Sequence, residues 1–495
     1  MSRKIIGLVL ALAMLLSCLS GVALAAEEPV TITWYGVGGT SDHQARVNEA
    51  ASKYLQSKGL NVNLEYISVG WGDYMQNYQV MLAAGEAFDL FNAQGNTVMQ
   101  FAKNGGVAEI TDEMMDTLLP GVKAVAPAHV VEALKMDGKN WMVPSMHEWA
   151  QYYGFSLINL DIVDALGLDL STVKSLDDLD PIFEKVHAAY PDVYCIQPCD
   201  LKEIAMLLYN IGPANHLENT CVGLDTKSDD KDFFSFFENE KVVSILRKFA
   251  EWGKKGYVVP LDRKNDANAL QAEGKIFCNL GRFKPGTGAQ STNAVVRYGD
   301  MKWDEDAAPI LGMKDAPAGW VTALSNTSKN KELALQVLNL FYTEPTLETI
   351  LTMGEEGVDY TVADDGFVDF VDGGFANGVF ANRNWQIGNS ALLPVSRGYA
   401  DLGLTDIWQV LADFNNSAVA LESAGFFFDT ENVDIEMAAL VNVCDEFSGI
   451  LFCGVADDFD ATLNQFVEKL KANGLQTVLD ECNRQYDEFL ANKAK

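Results

Sequence analysis

The stretch that decides the fold runs from residue 30 to residue 91 and reads VTITWYGVGGTSDHQARVNEAASKYLQSKGLNVNLEYISVGWGDYMQNYQVMLAAGEAFDLF. Apolar and polar residues alternate over Val30–Tyr35 and again over Val62–Tyr66, which is the pattern of half-buried β-strands. Between these two runs, apolar residues recur at helical spacing until Lys58-Gly59. The stretch therefore begins with a strand, a helix and a second strand.

Two more elements complete it. Asp73–Ala84 predicts a helix that Gly85 ends, and Phe88–Phe91 predicts a third strand. The order β-α-β-α-β predicts a parallel sheet with right-handed crossovers, in which ligands bind at the carboxyl ends of the strands. The loops at those ends are Gly36–Thr40, Ser68–Trp71 and Asn92–Asn96.

The rest of the chain continues this pattern. Asp137-Gly138 predicts a tight turn between two short strands, the second of which ends at Pro144. Further predicted strands are Tyr153–Asn159, Val193–Gln197 and Lys275–Leu280, and further predicted helices are Asp177–Ala189, Val242–Gly256, Lys331–Phe341, Glu436–Phe452, Ala461–Asn473 and Val478–Ala491. The fold class is therefore α/β, with two lobes and helices on the outside.

Residues 1–26 read as an export signal. Arg3 and Lys4 precede an apolar run from Ile5 to Leu16, and small residues then offer a cleavage site at Ala25-Ala26. The apolar run is too short to span a bilayer comfortably. The mature chain is therefore expected outside the cytoplasm, where ATP and NAD are not supplied.

Cys18 offers an alternative cleavage site for the export signal. It follows Leu15-Leu16-Ser17, which resembles the cleavage box of a lipoprotein. The protein is expected to be extracellular or in the cell envelope, released by cleavage at Ala25-Ala26 or held on the membrane through a lipidated Cys18. Cleavage at the alanines is favoured, because the second leucine fits the lipoprotein box poorly.

The charge of the chain limits its partners. The formal net charge is −33, and removal of Arg3 and Lys4 with the signal makes it −35. Such a chain is not expected to bind nucleic acid, is repelled by anionic lipid, and is expected to remain a monomer. Its eight cysteines are irregularly spaced and are expected to be mostly buried thiols, with Cys195–Cys199 and Cys444–Cys453 as the possible disulfides.

The usual catalytic motifs are missing from the sequence. His147-Glu148 lacks the second histidine of a zinc protease motif, and Gly36-Val37-Gly38-Gly39 is followed by Ser41 where a dinucleotide-binding loop needs glycine. The cluster Asp457, Asp458 and Asp460 lacks the spacing of a calcium loop and is expected to cap the following helix. We therefore predict no catalytic residues, no metal and no cofactor.

Aromatic residues at strand ends and in loops are the most suggestive feature. They are Trp34, Tyr35, Trp71, Tyr74, Trp141, Trp149, Tyr152, Phe283, Trp320 and Trp385. Flat aromatic faces match the apolar C–H faces of sugars, and neighbouring polar groups match their hydroxyls. Core packing is the alternative for each ring, and it is favoured for Trp34 and Trp141 because their strand neighbours alternate with apolar residues.

Several motifs, in their order along the chain, carry a family resemblance. Trp71-Gly72-Asp73-Tyr74, Asp137–Pro144 and Ser325–Ala334 resemble segments of the extracellular solute-binding proteins of bacterial ABC importers. Trp385-x-x-Gly388-Asn389 and the tail Glu436–Gln485 are similar to the sugar-binding, lipoprotein-type subgroup with an extended C-terminal domain. The resemblance covers nearly the whole mature chain.

This resemblance implies a two-lobed, periplasmic-binding-protein-like (type II) fold that captures a ligand between lobes by hinge closure and delivers it to the permease of an ABC transporter. The implied first lobe is 29–147 with 311–345, and the implied second lobe is 148–310 with 346–495, including a helical C-terminal extension. The crossing segments would be Ser145–Trp149, Met301–Leu311 and Tyr342–Gly354.

Position at strand ends and the plan of the family together select the candidate ligand residues. The first lobe would present Tyr35, Gly39, Asn92, Gln94, Asn96 and Trp320, and the second lobe Glu148, Trp149, Arg282, Phe283, Trp385 and Asn389. Trp149, Phe283 and Trp385 would stack on sugar rings, while Glu148, Asn92 and Arg282 would bind hydroxyls. An interlobe salt bridge is the alternative for Arg282.

The leading hypothesis is therefore a carbohydrate-binding component of an ABC importer, with an oligosaccharide as ligand. A second hypothesis keeps the binding role but changes the ligand to a peptide, a polyamine or another small solute. A third is an exported glycosidase, which needs only two carboxylates and so cannot be identified by motif.

Overall fold

The computed structural model describes residues 28–39, 43–136, 138–147, 149–213, 217, 220, 222–228, 231–291, 295–311, 319–371, 386–423, 426 and 428–493. The predicted signal segment and Cys18 lie outside these residues. Within them, no helix has both the length and the apolar character needed to cross a membrane.

The strands in this part of the chain are β1 Val30–Val37, β2 Val62–Val69, β3 Leu90–Gln94, β4 Lys135–Met136, β5 Lys139–Asn140, β6 Met142–Pro144, β7 Tyr152–Asn159, β8 Tyr194–Ile196, β9 Ile211–Gly212, β10 Val222–Asp225, β11 Phe234–Ser235, β12 Ile276–Phe283, β13 Tyr298–Lys302, β14 Ile310–Leu311, β15 Trp320–Leu324, β16 Tyr360–Val362, β17 Val368–Phe370 and β18 Val419–Ala420.

The α-helices are α1 Gln44–Ser57, α2 Tyr74–Ala84, α3 Gly95–Lys103, α4 Asp112–Thr117, α5 Pro120–Val125, α6 Ala128–Ala133, α7 Leu160–Leu166, α8 Asp180–Ala189, α9 Leu201–Tyr209, α10 Glu240–Lys254, α11 Ala267–Ala272, α12 Thr287–Ser291, α13 Lys331–Leu340, α14 Pro345–Met353, α15 Arg397–Asp401, α16 Ile407–Asn416, α17 Asp434–Phe452, α18 Phe459–Ala472 and α19 Leu475–Lys493.

The first lobe is built on a five-stranded sheet in the order β2-β1-β3-β15-β6. β1 runs parallel to β2 and β3, as the sequence pattern predicts, and β15 is antiparallel to β3 and β6. Trp34 lies between Tyr66 and Leu90 in this register and is fully buried. The prediction that Trp34 belongs to the core is confirmed.

The second lobe is built on a four-stranded sheet in the order β13-β7-β12-β8. β7 is antiparallel to both of its neighbours, and β8 is parallel to β12. One continuous apolar core joins this sheet to α10 and to the C-terminal helices through buried residues such as Trp252, Phe447 and Phe466. The C-terminal helices are therefore part of the second lobe and do not form a separate unit.

Helix α14 lies in the first lobe. Its Leu347 and Leu351 are buried in the same cluster as Trp34 and Phe341. The sequence predicts that the second lobe resumes at residue 346 and therefore includes this helix. The structure places the helix in the first lobe instead, because its apolar face completes the core beside β1. Tyr342 also remains in the first lobe, where its hydroxyl donates to the carbonyl oxygen of Pro144 at 2.7 Å.

Three stretches of backbone meet where the lobes join. Gln151 and Ile310 exchange two hydrogen bonds of 2.9 Å, so the chain leaving the first lobe pairs with the chain returning to it. Met146 N donates to the carbonyl oxygen of Gly388 at 2.8 Å, and Ser390 N donates to the carbonyl oxygen of Met146 at 3.0 Å. Segment 386–390 is thus the third backbone stretch of this junction, whereas the family resemblance implied Tyr342–Gly354 as the third crossing segment.

The cysteines of the described residues are buried free thiols, namely Cys195, Cys199, Cys278, Cys444, Cys453 and Cys482. The two pairs that the sequence offered as disulfides, Cys195–Cys199 and Cys444–Cys453, are therefore not bonded. Burial raises the pKa of the Cys453 thiol to about 11, so this thiol stays protonated and unreactive at neutral pH.

Candidate ligand-binding site

The carboxyl ends of β1, β2 and β3 meet at one edge of the first sheet. Val37, Val69 and Gln94 end these parallel strands. β15 runs the opposite way and therefore begins at the same edge, where Trp320 pairs with Gln94. This edge gathers loops from four parts of the sequence and faces the junction between the lobes.

An aromatic platform stands on this edge and consists of Trp71, Tyr74 and Trp320. The ring centroid of Trp320 lies 5.5 Å from that of Trp71 and 6.1 Å from that of Tyr74. Trp71 is 54% exposed, whereas Trp320 is half-buried. An exposed indole braced by two rings offers a fixed apolar surface to a ligand.

Trp320 was predicted as a ligand residue, whereas Trp71 and Tyr74 were only counted among the prominent aromatics. Their position could have identified them as ligand residues, because Trp71 lies only two residues beyond the carboxyl end of β2. The half-buried ring of Tyr35 reaches the platform only through Tyr78, whose ring lies 6.3 Å from that of Tyr35 and 5.8 Å from that of Tyr74. Desolvation, and then the nearby Glu86 carboxylate, raise the pKa of Tyr35, so its hydroxyl remains protonated.

Two other predicted residues lie on the same edge. Gly39 is exposed, and a side chain there would meet no atom within 4 Å. Gln94 is half-buried and precedes the first turn of α3. Both positions are therefore accessible beside the platform, while nothing is described of the Asn96 side chain.

Asn92 does not face the ligand edge, so this prediction is corrected. It is fully buried, and its amide oxygen accepts a hydrogen bond of 2.8 Å from Trp34 Nε1. Its amide nitrogen donates to Thr322 Oγ1 at 2.9 Å and to the carbonyl oxygen of Gln386 at 2.7 Å. Both ends of the amide are occupied, so Asn92 ties the first sheet to the junction.

Gln386 completes this buried network. Its side-chain amide accepts from Val37 N at 2.9 Å and donates to the carbonyl oxygen of Val37 at 2.5 Å. Its own carbonyl oxygen also accepts from Ser145 Oγ at 2.5 Å. Gln386 therefore fixes the end of β1, from which the Gly38-Gly39 loop departs.

In the second lobe, two predicted residues are occupied by contacts within that lobe. Phe283 is 4% exposed and packs 5.8 Å from the ring of Tyr152, so it belongs to the interior rather than to a stacking surface. Arg282 forms a 3.4 Å ion pair with Glu203. Both partners lie in the second lobe, so the pair is not the interlobe bridge considered as an alternative.

The remaining predicted residues lie at the junction. Trp149 is half-buried, its backbone N donates to Asn415 Oδ1 at 2.8 Å, and its ring lies edge-on to His147. Asn389 is 8% exposed and accepts from Ala391 N at 3.1 Å, so it caps a short turn instead of facing a ligand. Glu148 and Trp385 lie outside the described residues.

Metal-binding geometry is not found in the part of the chain that the structure describes, since no three His, Cys, Asp or Glu side chains there could share an ion. Asp458 accepts from Ala461 N at 3.0 Å and caps α18, which confirms the prediction for the aspartate cluster.

An ion pair spans the two lobes at one side of the junction. Lys103 Nζ, at the end of α3 in the first lobe, lies 2.7 Å from Asp429 Oδ2 in the C-terminal part. Gln485 of α19 holds Asp429 in place through two backbone hydrogen bonds of 2.8 Å. The C-terminal extension therefore touches the first lobe directly.

The two α/β lobes, joined by several crossing segments, define a two-lobed binding protein with its candidate site between the lobes. Residues 49–355 match the family described as bacterial extracellular solute-binding protein, and the chain belongs to this family. Residues 422–491 match a domain family of unknown function. The resemblance stated from the sequence is thereby confirmed.

Known relatives agree with this assignment. The chain is 26% identical over 478 residues to a carbohydrate ABC transporter substrate-binding protein of Streptococcus pneumoniae, covering 95% of this chain and 92% of the relative. The crystal structure of an N-glycan transport solute-binding protein from the same organism is 23% identical with a TM-score of 0.74, and covers 94% of this chain and 100% of that one. The structure of an HMO-binding, ABC-transporter-associated solute-binding protein from Bifidobacterium longum infantis is 15% identical with a TM-score of 0.58, and the match covers 94% of this chain and 100% of that one. These likenesses confirm the two-lobed α/β fold.

Proposed function

We propose that this chain captures a carbohydrate, an oligosaccharide, between its two lobes and delivers it to the permease of an ABC importer. The observation that carries the proposal is the platform of Trp71, Tyr74 and Trp320 at the ligand edge of the first sheet. Sugar rings present apolar C–H faces that stack on such indole rings. The relatives that bind or transport glycans support the same ligand class.

The proposed mechanism is binding without chemistry on the ligand. The open protein would receive the sugar on the platform, and rotation about the junction would close the second lobe over it. Gln386 and Asn92 would keep the loop after β1 in position during this movement, since both are buried in the junction. The closed form would then dock on the permease as a monomer.

Export would place the protein outside the cytoplasm, as for other members of the family. Membrane retention through a lipidated Cys18 is proposed as the alternative to release. One acyl chain alone would hold the membrane only weakly, but a diacylglyceryl group on Cys18 would supply two chains.

Titration of the mature chain with an oligosaccharide panel, followed by tryptophan fluorescence and calorimetry, tests the proposal. The N-glycan transport solute-binding protein of Streptococcus pneumoniae has a crystal structure in complex with Man1GlcNAc, so we expect an oligosaccharide of this kind to bind and to change the indole fluorescence. Trp71→Ala should weaken binding by at least about tenfold, since the loss of an aromatic face costs roughly 1.4 kcal/mol. Trp71→Phe is the matched control and should retain most of the affinity.

Two results would contradict the proposal. If no sugar binds, while a peptide or a polyamine does, the ligand class is wrong. Release of hydrolysis products from any of the oligosaccharides would show an enzyme in place of a binding protein.

A further inference from the structure

A cavity of about 350 Å³ lies in the second lobe between the sheet and the C-terminal helix α17. Its polar lining comprises Gln197, Asp200, Lys202, Asn279, Asp445 and Ser448. Its volume is within the range of small-molecule sites, which is about 300–1,000 Å³. None of these residues was singled out by the sequence.

The fold brings three distant segments together here. β8 ends at Ile196, which pairs with Cys278, so Gln197 follows the strand end beside Asn279. The loop to α9 is fastened to α17, because Cys199 N donates to the carbonyl oxygen of Phe452 at 2.9 Å. The cavity thus forms at the carboxyl end of β8, which runs parallel to β12.

One wall belongs to the C-terminal domain of unknown function. Asp445 and Ser448 are three residues apart on α17 and therefore lie on one face of the helix. Within the described residues, neither side chain has a hydrogen bond or ion pair, and the same is true of Lys202. Asp445 is exposed and Lys202 and Ser448 are half-buried, so all three polar groups are accessible to a molecule that enters the cavity.

The lining narrows the chemistry of that molecule. The carboxylates of Asp200 and Asp445 would repel an anionic ligand, and the ammonium group of Lys202 would repel a cationic one. Amide nitrogens of Gln197 and Asn279 already donate to Gln271 at 3.2 Å and to Ser156 at 3.4 Å, which orients both amides. Carboxylates, amide oxygens, a hydroxyl and an ammonium suit a neutral ligand rich in hydroxyl groups.

We infer that this cavity is a second-lobe subsite for a sugar residue, in which α17 supplies Asp445 and Ser448. Phe236 and Phe452 also line the cavity and offer apolar contact to the C–H face of the ring. The inference rests on the proposed function, and it gives the C-terminal domain a direct part in ligand binding.

The test compares Asp445→Ala and Ser448→Phe with the wild-type chain by calorimetry, using the same oligosaccharide panel. Asp445 is exposed, so its replacement leaves the fold intact, and Ser448→Phe fills the cavity. We expect each variant to raise Kd by about tenfold or more for at least one oligosaccharide that binds the wild type. Asn442→Ala, an exposed position on the same helix outside the cavity lining, is the control and should bind as the wild type does.

Wild-type affinity in both variants for every sugar that the wild type binds would overturn the subsite while leaving the proposed function standing. If the wild-type chain binds no sugar, the proposed function fails first and the subsite fails with it. Thermal melting of each variant verifies that a loss of binding is not a loss of folding.

Discussion

Glu348 gives the sharpest prediction about stability. The residue lies on α14 beside the junction, is fully buried, and neither carboxylate oxygen has a hydrogen-bond partner within the described residues. A side-chain carbon on Gly388 would come within 2.6 Å of Glu348 Oε2, which shows how closely segment 386–390 covers the carboxyl group. Burial therefore raises the pKa of Glu348 well above its ordinary value of 4.5.

The sign of the pH dependence follows from proton binding. Because the pKa is higher in the folded state, the folded chain holds a proton that the unfolded chain releases above pH 4.5. The contribution of Glu348 to stability is therefore fully present below pH 4.5 and is lost as the pH rises through the folded-state pKa. The cost is about 1.4 kcal/mol for each pH unit over the range in which the folded chain keeps the proton and the unfolded chain has lost it.

Glu348→Gln removes the ionisation and keeps the size of the side chain. We expect the free energy of unfolding of the variant to rise relative to that of the wild type as the pH increases, by about 1.4 kcal/mol for each pH unit while Glu348 of the folded wild type remains protonated. Urea unfolding followed by circular dichroism at pH 5, 6 and 7 measures this difference. Glu356→Gln, at an exposed position nearby, is the matched control and should show no such trend.

A constant difference between Glu348→Gln and the wild type across this pH range would refute the reasoning. A variant that becomes less stable than the wild type as the pH rises would refute it as well, because Glu348 would then be ionised and paired in the folded chain.

Three further predictions concern the junction, the lobe contact and export. Asn92→Ala should lower the free energy of unfolding by at least about 2 kcal/mol, because it leaves buried donors and acceptors unpaired, and urea unfolding measures the loss. Lys103→Ala and Asp429→Ala should each weaken ligand binding slightly. A double-mutant cycle should give a coupling energy of about 0.2–1 kcal/mol at low salt, and this coupling should disappear in 1 M salt. Equal coupling at low salt and in 1 M salt would contradict an exposed ion pair. Mass spectrometry of the mature chain should find cleavage at Ala25-Ala26, and an acylated N-terminal Cys18 would reverse this prediction.

The sequence by itself determined the three parallel strands of the first sheet and, through the family resemblance, the class of protein. Alternation over Val30–Tyr35 and Val62–Tyr66, with one helix between them, is sufficient to predict a parallel pair because strand and helix periods are local properties. The same local logic identified the cap at Asp458 and the burial of Trp34.

Tertiary structure alone decided which strand-end residues remain accessible. Asn92 follows the predicted strand Phe88–Phe91, as a ligand residue would, but it lies inside β3, and Gln386, 294 positions further along the chain, covers it. Phe283 is similarly packed against Tyr152, and Asn389 turns inward to cap its own loop. Trp71 remains exposed because it lies beyond the sheet edge, where no such segment covers it among the described residues. A local pattern predicts where a strand ends, whereas burial at that end depends on segments hundreds of residues away.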